Sequence, residues 1–386
     1  MSILVSFIIP HKGRIDLLEK TLQSILQQDF DLGQIEIILV TQEPRLDLQE
    51  ITSKVDLKII YPPTQKTPAL AGDVRQKAWR ILPDGFARAL WRKCVGRILR
   101  SPADKDGAKG DSLLRRIPPT SKVPRAMPGG LHCSPEETIA ALRNRGAEMA
   151  SGEHLAFIDA DILLSSNWIE TVLEELTVKS NRVLVSTKAA CSGSPSPVEK
   201  IWLKINNEKI NKAVDSLHAR NLFLSKETFK KTGGFPEELT TCEDTHFTNK
   251  LSQMGEIYIT PRAFHEHLGE DKTYSELFSK EIWRSQSNLH SIRGRKMPLK
   301  ELPSITIPFW EAFWGVGFIL AILLQRPFLI LLTLFAFLGP ILLYSARIYL
   351  RNPGELSLFD ILRFYLVYFV ARMIGSVKGL FFLRRV

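Results

Sequence analysis

A run of 20 residues without a charged side chain, Pro327 to Ala346, constrains this 386-residue chain more than any other feature. About 20 apolar residues in a helix match the thickness of the hydrocarbon core of a bilayer. The stretch before it, Ile305 to Leu324, contains one charged residue, Glu311, and a tight turn joins the two segments. The pattern predicts a two-helix transmembrane hairpin over 305–346.

Basic residues flank this hairpin on both sides. They are Arg293, Arg295, Lys296 and Lys300 before it, and Arg347 and Arg351 after it. By the positive-inside rule, both ends face the cytoplasm, which predicts a multi-pass protein of the cell (inner) membrane. The last apolar stretch, 356–383, contains three basic residues, so it is either an interfacial amphipathic helix, which we favour, or a third membrane helix.

The first part of the chain alternates between strand and helix patterns. Val5 to Ile9, Ile35 to Val40, Leu57 to Ile60 and Leu155 to Ile158 are short apolar runs of strand length, and helical periodicity follows the first of them. This alternation predicts an α/β fold with a mostly parallel, Rossmann-like sheet flanked by helices. Functional loops are then expected at the carboxyl ends of the strands.

A basic segment interrupts this alternation at about 64–133. Residues 71–126 hold 14 Lys and Arg against 5 Asp, which is nearly the whole net charge of +10. Within it, Phe86 to Arg100 has one apolar and one basic helical face. Such a helix either binds an anionic membrane surface or packs its apolar face on the domain, and the sequence leaves both possibilities open.

The composition excludes several classes of protein. The four cysteines show no C-x-x-C spacing, which argues against a disulfide framework and a structural zinc site and favours a reducing compartment. The apolar start of the chain is only one strand long, so no signal peptide is predicted. Low-complexity and collagen-like chains are excluded, and no nucleic-acid partner is expected.

Two carboxylates follow the fourth predicted strand. Asp159 and Asp161 are two residues apart, a spacing that points both side chains to the same side of an extended chain. Paired carboxylates can hold Mg²⁺ or Mn²⁺ together with phosphate oxygens. The tripeptide is common, so a polar turn after a strand is the simpler alternative.

Further polar residues lie toward position 270. Glu243 and Asp244 precede an amphipathic helix, where an acidic residue is either a helix cap or a general base. His265 and His267 follow a predicted strand, where a neutral imidazole can complete a metal site or be purely structural.

Several segments together resemble a membrane-bound, inverting family 2 glycosyltransferase of the GT-A fold. They are VSFIIPHKGR (Val5 to Arg14), IEIILV (Ile35 to Val40), LRNRGAEMASGEHLAFIDAD (Leu142 to Asp161), GGFPEE (Gly233 to Glu238), CED (Cys242 to Asp244) and FHEH (Phe264 to His267). Their order and spacing match over most of residues 3–270, outside the insertion. The C-terminal hairpin is also similar to that of membrane-bound members.

The resemblance implies roles for individual residues. It implies a donor-binding set of Pro10, His11, Arg14, Gln42, Arg143, Asn144 and Asp159. It implies metal ligands Asp159, Asp161 and His265 (preferred to His267) for Mn²⁺ or Mg²⁺, and a catalytic base, Asp244, beside Glu243. Asn221, Gly233 and Gly234 are expected on the acceptor side.

The sequence pattern and the resemblance together give a domain organisation. The domains are a catalytic domain over 1–270 interrupted by the insertion, a basic amphipathic linker over 271–304, the hairpin over 305–346 and the last helix over 356–383. The expected partners are a nucleotide-sugar donor, membrane lipids and a lipid-linked or polysaccharide acceptor.

Three departures from the family pattern leave details open. Thr41-Gln42-Glu43 replaces the usual acidic residue after the second strand, so the preferred base is undetermined. A Q-x-x-R-W element is absent, which favours transfer of a single sugar. The insertion has no counterpart. The alternatives are a non-catalytic sugar-nucleotide-binding scaffold and a nucleotidyl- or phospho-sugar transferase, although the latter normally has a Gly-rich phosphate loop.

Overall fold

The alternating strand and helix patterns form one α/β layer structure. The computed structural model describes residues 2–41, 43, 53–61, 137–191, 193–239, 241–286, 288–289 and 299–382. The insertion, its amphipathic helix and part of the predicted linker lie outside these residues. The strands are β1 (Val5–His11), β2 (Ile35–Thr41), β3 (Asp56–Ile60), β4 (His154–Ile158), β5 (Ile162–Leu164), β6 (Arg182–Ala190), β7 (Ala213–Val214), β8 (Asn221–Ser225) and β9 (Glu256–His267).

Among the described residues, seven helices belong to the α/β part. They are α1 (Ile15–Leu26), α2 (Ile139–Met149), α3 (Trp168–Val178), α4 (Pro197–Asn207), α5 (Lys226–Thr232), α6 (Glu243–Ser252) and α7 (Tyr274–Ser285). The buried side chains form one apolar cluster on each face of the sheet. Burial of both faces explains why β1 and β2 are mostly apolar rather than alternating, although each includes a buried polar residue near its start, Ser6 and Glu36.

The sheet has the order β3-β2-β1-β4-β8-β6-β9-β5, with β7 paired to β9. The first four strands are parallel, and β8 then joins β4 antiparallel. The predicted α/β architecture with flanking helices is confirmed, and the sheet is mixed rather than uniformly parallel. The carboxyl ends of β1 and β4 lie side by side, so the loops after them meet at one edge.

A buried carboxylate, Glu36, holds the turn that leads into β4. Glu36 on β2 accepts hydrogen bonds from the Ser6 hydroxyl (2.6 Å) and from the backbone N–H of Ser151 (2.5 Å), and it forms an ion pair with Lys58. Burial opposes its ionisation, but these partners outweigh that effect and lower its pKa to about 2. The turn before β4 is thereby tied to the parallel strands that lead to the site.

Two long apolar helices follow the sheet, as the composition predicts. They are α8 (Leu302–Leu323) and α9 (Pro327–Arg351), joined by a turn in which Gln325 has a positive φ of 51°. Both are long and apolar enough to cross a membrane, and only 17% of their most apolar windows is buried within the protein. Large apolar side chains such as Phe313, Phe335 and Leu343 are left exposed.

The last helix, α10 (Leu358–Phe382), packs on the α/β part as well as on the apolar helices. Arg372 forms an ion pair with Glu281 of α7 at 3.3 Å, and the ring of Phe364 lies 5.3 Å from that of Trp202 on α4. Among the described helices, α10 is not one of the two candidate spans. Whether it lies in the interface or crosses the bilayer stays a prediction.

Candidate active site

A cavity of about 310 Å³ lies at the carboxyl ends of β1 and β4, where the topology predicts functional loops. Helix α2 and the first residue of α6 close its other sides. Its lining residues are Pro10, His11, Lys12, Arg14, Leu17, Ile139, Arg143, Asp159, Ala160, Asp161 and Glu243. Most of the residues predicted to bind donor and metal therefore share one cavity. Glu243 of the predicted catalytic pair also lines it, so the lining extends over more than 230 positions of sequence.

Arg143 is the buried cation of this cavity. Its side chain, on α2, donates to Asp159 Oδ1 (2.7 Å) and to Glu243 Oε1 (2.9 Å). Burial penalises the charged guanidinium, but the neighbouring carboxylates outweigh that penalty and raise its pKa. The ring of Phe235 also lies 5.3 Å from the guanidinium carbon. Arg143 therefore stays charged and links the predicted metal-binding pair to the predicted catalytic pair.

Asp159 and Asp161 both line the cavity but have different partners. Asp159 begins a tight turn in which the N–H of Ile162 donates to its carbonyl (3.2 Å), and its side chain bonds Arg143. Asp161 Oδ2 lies 3.3 Å from both Arg14 Nη2 and His267 Nε2. Burial opposes ionisation of Asp161, yet the hydrogen bond from His267 lowers its pKa.

The structure brings His267, and not His265, to Asp161. Antiparallel pairing of β5 with β9 sets His267 opposite Ile162 and His265 opposite Leu164. His265 is 6% exposed, and its Nδ1 lies 2.9 Å from Asn221 Nδ2 and 3.2 Å from the Thr187 hydroxyl. Burial lowers the pKa of His265 to about 3. The geometry thus gives no support to the preference for His265 as the metal ligand.

His267 is held by a second layer of charged groups. Its Nδ1 lies 3.1 Å from Glu270 Oε2, and Arg220 donates to the same Glu270 oxygen at 2.9 Å. Burial opposes protonation of His267, but the hydrogen bonds with Asp161 and Glu270 outweigh it and raise its pKa. The ring is thereby oriented with Nε2 toward Asp161, as outer partners orient metal-binding histidines.

Glu243 and Asp244 occupy the first turn of α6, after Cys242 in the left-handed conformation (φ 66°). Asp244 Oδ1 accepts from the N–H of Thr245 (2.6 Å), and Oδ2 lies 3.3 Å from His218 Nδ1. Burial opposes ionisation of Asp244, but the His218 contact, the charge of Arg143 and the Thr245 N–H together outweigh it and lower the pKa to about 2. Burial and the neighbouring Asp244 instead raise the pKa of Glu243.

Asn144 and the paired glycines form a local clamp. The Asn144 amide accepts from the N–H of Phe235 and donates to its carbonyl, both at 2.8 Å. Gly233 and Gly234 have positive φ values of 77° and 79°, and a Cβ on Gly234 would lie 2.7 Å from Asn144 Oδ1. The structure thus places Asn144 on the Gly-Gly-Phe loop, where it positions Phe235 against Arg143.

Of the remaining predicted residues, two line the cavity, one is buried in the core and one lies outside the described residues. Pro10 and His11 line the cavity, and His11 Nδ1 lies 2.9 Å from the Thr41 hydroxyl while its buried Nε2 has no hydrogen-bond partner in the described part of the chain. Asn221 is fully buried between Trp168 and His265 instead of facing an acceptor. Gln42 lies outside the described residues.

Sequence reasoning missed three residues of the site: His218, Arg220 and Glu270. His218 and Arg220 belong to one loop before β8, which reaches Asp244 on one side and Glu270 on the other. An isolated histidine or arginine in a loop gives no periodic signal. Glu270, however, stands three residues after His267. Because this spacing allows the two side chains to pair, Glu270 could have been predicted as a partner of His267 from the sequence.

Gly269 provides a test of this packing. A Cβ at this position would overlap Asp161 Oδ2 and approach Arg14 Nη2 to 2.7 Å. Because a shift of about 1 Å in a site can cost on the order of 10²-fold in rate, we expect Gly269→Ala to lose about that factor in any turnover at this cavity, with little change in Tm. The matched control is Gly339→Ala, where the new Cβ meets nothing within 4 Å. Full turnover in Gly269→Ala would contradict the placement of Asp161.

The side chains of this cavity supply some of the ligands that a divalent ion needs. Among the described residues, no group of three or more His, Cys, Asp and Glu side chains could hold a metal by itself. Asp161 and His267 do converge, and Mg²⁺ is commonly held by one or two carboxylates together with substrate phosphates. The residues therefore fit an ion that binds together with a diphosphate.

Comparisons with known proteins give the class of this fold. A family model described as glycosyl transferase family 2 matches residues 131–230, which include Arg143, both aspartates and Asn221. The sequence search of curated proteins found no match. Across 97% of this chain, the fold is similar to that of a mannosyltransferase, PcManGT from Pyrobaculum calidifontis, solved with GDP-Man and Mn²⁺.

That likeness is one of fold. The identity is 14%, the alignment covers 86% of the mannosyltransferase, and the TM-score is 0.55. S. aureus TarS 1-349, solved with UDP-GlcNAc, aligns with 95% of this chain and 90% of its own at 14% identity, but its TM-score of 0.41 is too low to support an argument. The chain thus has a glycosyltransferase-like α/β fold with two apolar helices after it.

Proposed function

We propose that this protein is a membrane-bound, inverting glycosyltransferase that moves one sugar from a nucleotide-sugar to a membrane-attached acceptor hydroxyl on the cytoplasmic face. The observation that carries the proposal is the cavity in which Arg143 joins Asp159 to Glu243, next to the converging pair Asp161 and His267. A buried cation beside a carboxylate and imidazole pair suits the diphosphate of a nucleotide-sugar.

The donor lies along the edge formed by β1 and β4. His11, with Nε2 buried and unpaired in the described structure, contacts the nucleoside, and the diphosphate lies toward Arg14 and Arg143. Asp161 and His267 would hold Mn²⁺ or Mg²⁺, and Asp159 lines the same cavity. When bound, the metal supplies positive charge that stabilises the departing nucleoside diphosphate.

Arg143 acts on the same leaving group. Its side chain is 4% exposed and fixed by two carboxylates, so it needs little reorganisation as negative charge grows on the diphosphate. Such prearranged charge is the usual main source of electrostatic catalysis. Displacement at the anomeric carbon from the face opposite the diphosphate inverts the centre.

Asp244 accepts the proton of the acceptor hydroxyl. With a pKa of about 2 it is ionised but weakly basic, and the His218 contact at 3.3 Å is the leading cause of that low value. His218 is 65% exposed, so an acceptor hydroxyl can displace it from Asp244 Oδ2. Loss of this contact raises the proton affinity of Asp244 when the acceptor arrives, which moves it toward the range of an effective base.

The acceptor is lipid-linked or a growing polysaccharide, and the reaction is a single hexosyl transfer in polysaccharide biosynthesis. The two helices that are long and apolar enough to cross a membrane support this part, because such helices would hold the cavity near the bilayer. A water-soluble acceptor does not require such an arrangement. If the purified enzyme used soluble and lipid-linked acceptors equally well, the membrane-attached acceptor would be excluded.

The test is release of nucleoside diphosphate by detergent-solubilised protein, screened over UDP-, GDP- and dTDP-sugars with Mn²⁺ or Mg²⁺. Metal-dependent release that disappears in Asp161→Ala is the expected result, and it names the donor. Equilibrium binding of each nucleotide-sugar is measured in parallel. Absence of both release and binding would favour the non-catalytic scaffold.

A further inference from the structure

A second cavity, of about 510 Å³, lies where α4 meets the end of α9. It is lined by Lys204, Asn207, Glu208, Lys212, Arg351 and Asn352. It shares no lining residue with the cavity at the β1 and β4 edge. The α/β part provides one wall and the end of an apolar helix provides the other, and none of the proposed catalytic steps uses it.

The cationic groups of this cavity are held in place by two carboxylates. Glu208 accepts from both Arg347 and Arg351, the latter at 3.1 Å, and Lys204 pairs with Glu355. Each arginine still has other N–H groups, and the side chains of Arg347 and Arg351 are 48% and 56% exposed. With Lys212, four cations face two carboxylates, so the cluster has a net charge of +2.

The position of Arg347 and Arg351 along α9 indicates which anions these side chains can reach. The 20 uncharged residues that begin α9 extend over about 30 Å of helix, the thickness of a hydrocarbon core. Arg347 and Arg351 follow within the next two turns. If α9 spans the membrane, they lie at the depth of the lipid phosphates, where each cation adds about 1 kcal/mol of attraction to an anionic leaflet.

We propose that this second cavity binds the phosphate of an anionic membrane lipid. Arg351, Lys212 and Lys204 contact the phosphate oxygens, and Glu208 fixes the arginines. The inference rests on the membrane attachment within the proposed function but not on its chemistry. A lipid held here ties the α/β part to the leaflet at a point separate from the donor cavity.

The experiment is a lipid titration of the full chain in detergent, read as the rise in Tm. The probes are a short-chain phosphatidylglycerol, the matching phosphatidylcholine and inorganic phosphate. The variant is Lys212→Gln with Arg351→Gln, which leaves Arg347 on Glu208. The control is Lys20→Gln with Arg262→Gln, which removes the same charge elsewhere and also takes an arginine from an ion pair.

We expect phosphatidylglycerol to stabilise the protein more than phosphatidylcholine, with an apparent affinity that falls about tenfold in the cavity variant and not in the control. Equal losses in variant and control, or equal effects of both lipids, would overturn the proposal. Saturation by inorganic phosphate at the same concentration would assign the cavity to free phosphate instead. Lys212→Gln alone repeats the test if the double variant unfolds.

Donor turnover separates this inference from the proposed function. Neither Lys212 nor Arg351 lines the donor cavity, so the variant should release nucleoside diphosphate at the wild-type rate in detergent. Lipid selectivity without any nucleotide-sugar turnover or binding would refute the proposed chemistry and leave the lipid site standing. Normal turnover without lipid selectivity would refute the lipid site and leave the proposed chemistry standing.

Discussion

Asp244→Asn is expected to lower kcat by about 10² to 10⁴ while the KM for the nucleotide-sugar stays within about twofold. The change removes the proton acceptor but leaves Arg143, Asp161 and His267 in place. The Asn side chain can still accept from the Thr245 N–H that now bonds Asp244. The measurement is steady-state transfer with the donor and acceptor that the release screen identifies, accompanied by donor binding.

The matched control for this prediction is Glu243→Gln, one residue earlier in α6. Glu243 lines the cavity and bonds Arg143, so its loss is expected to weaken donor turnover without removing the base. If Glu243→Gln lost more kcat than Asp244→Asn, the base would be Glu243. Because the pKa of Asp244 is about 2 without acceptor, we also expect no acid limb from this group in kcat/KM above about pH 4.

Arg143→Met is expected to lower kcat by about 10² to 10³, since it removes fixed positive charge from the leaving diphosphate. It also leaves two carboxylates without their shared cation. Removal of one partner of a buried ion pair costs about 3 to 5 kcal/mol, and the lower end applies because Asp159 is 33% exposed. We therefore expect a large loss of turnover together with a lower Tm.

Arg145→Met, on the same helix, separates the general effect of a lost arginine from this specific one. Arg145 pairs with Glu137 but is 31% exposed and does not line the cavity. Its loss should cost at most about 1 kcal/mol and leave turnover unchanged. Equal kinetic losses in the two variants would mean that Arg143 acts only through stability.

The strands and the cavity residues illustrate what can be read along the chain. Val5 to Ile9, interrupted only by Ser6, and Leu155 to Ile158 are apolar because both faces of the sheet are covered, and this pattern is visible in the sequence. The loops after them were expected to meet because parallel neighbours end at the same edge. Pro10, Arg143, Asp159 and Asp161 do line one cavity there.

The histidine assignment illustrates what could not be read. His265 and His267 have the same residue type and nearly the same neighbours in sequence, so no local pattern distinguishes them. The antiparallel register of the three-residue strand β5 on β9 sets which of them reaches Asp161. A register is a property of two distant segments paired through backbone hydrogen bonds, and side-chain chemistry alone does not report it.

Asn144 and Asn221 show a second limit of the same kind. The resemblance implies that Asn144 binds the donor and that Asn221 lies on the acceptor side. Their amides instead satisfy buried partners: the Phe235 backbone for Asn144, and Trp168, Thr187 and His265 for Asn221. A polar residue in a motif either contacts a ligand or satisfies a buried group, and only the packed structure separates the two.

The sequence by itself determined the α/β class, the two long apolar helices and the pair Asp159 and Asp161 at a strand end, because hydrophobic periodicity and strand ends are local properties. The resemblance to a known family added the other residues that line the cavity at the β1 and β4 edge. Tertiary structure decided that His267 faces Asp161, that Arg143 joins Asp159 to Glu243, that His218 covers Asp244 and that α10 packs on α7. Each of these pairs residues distant in sequence, and their meeting depends on strand register and helix packing, which no single segment encodes.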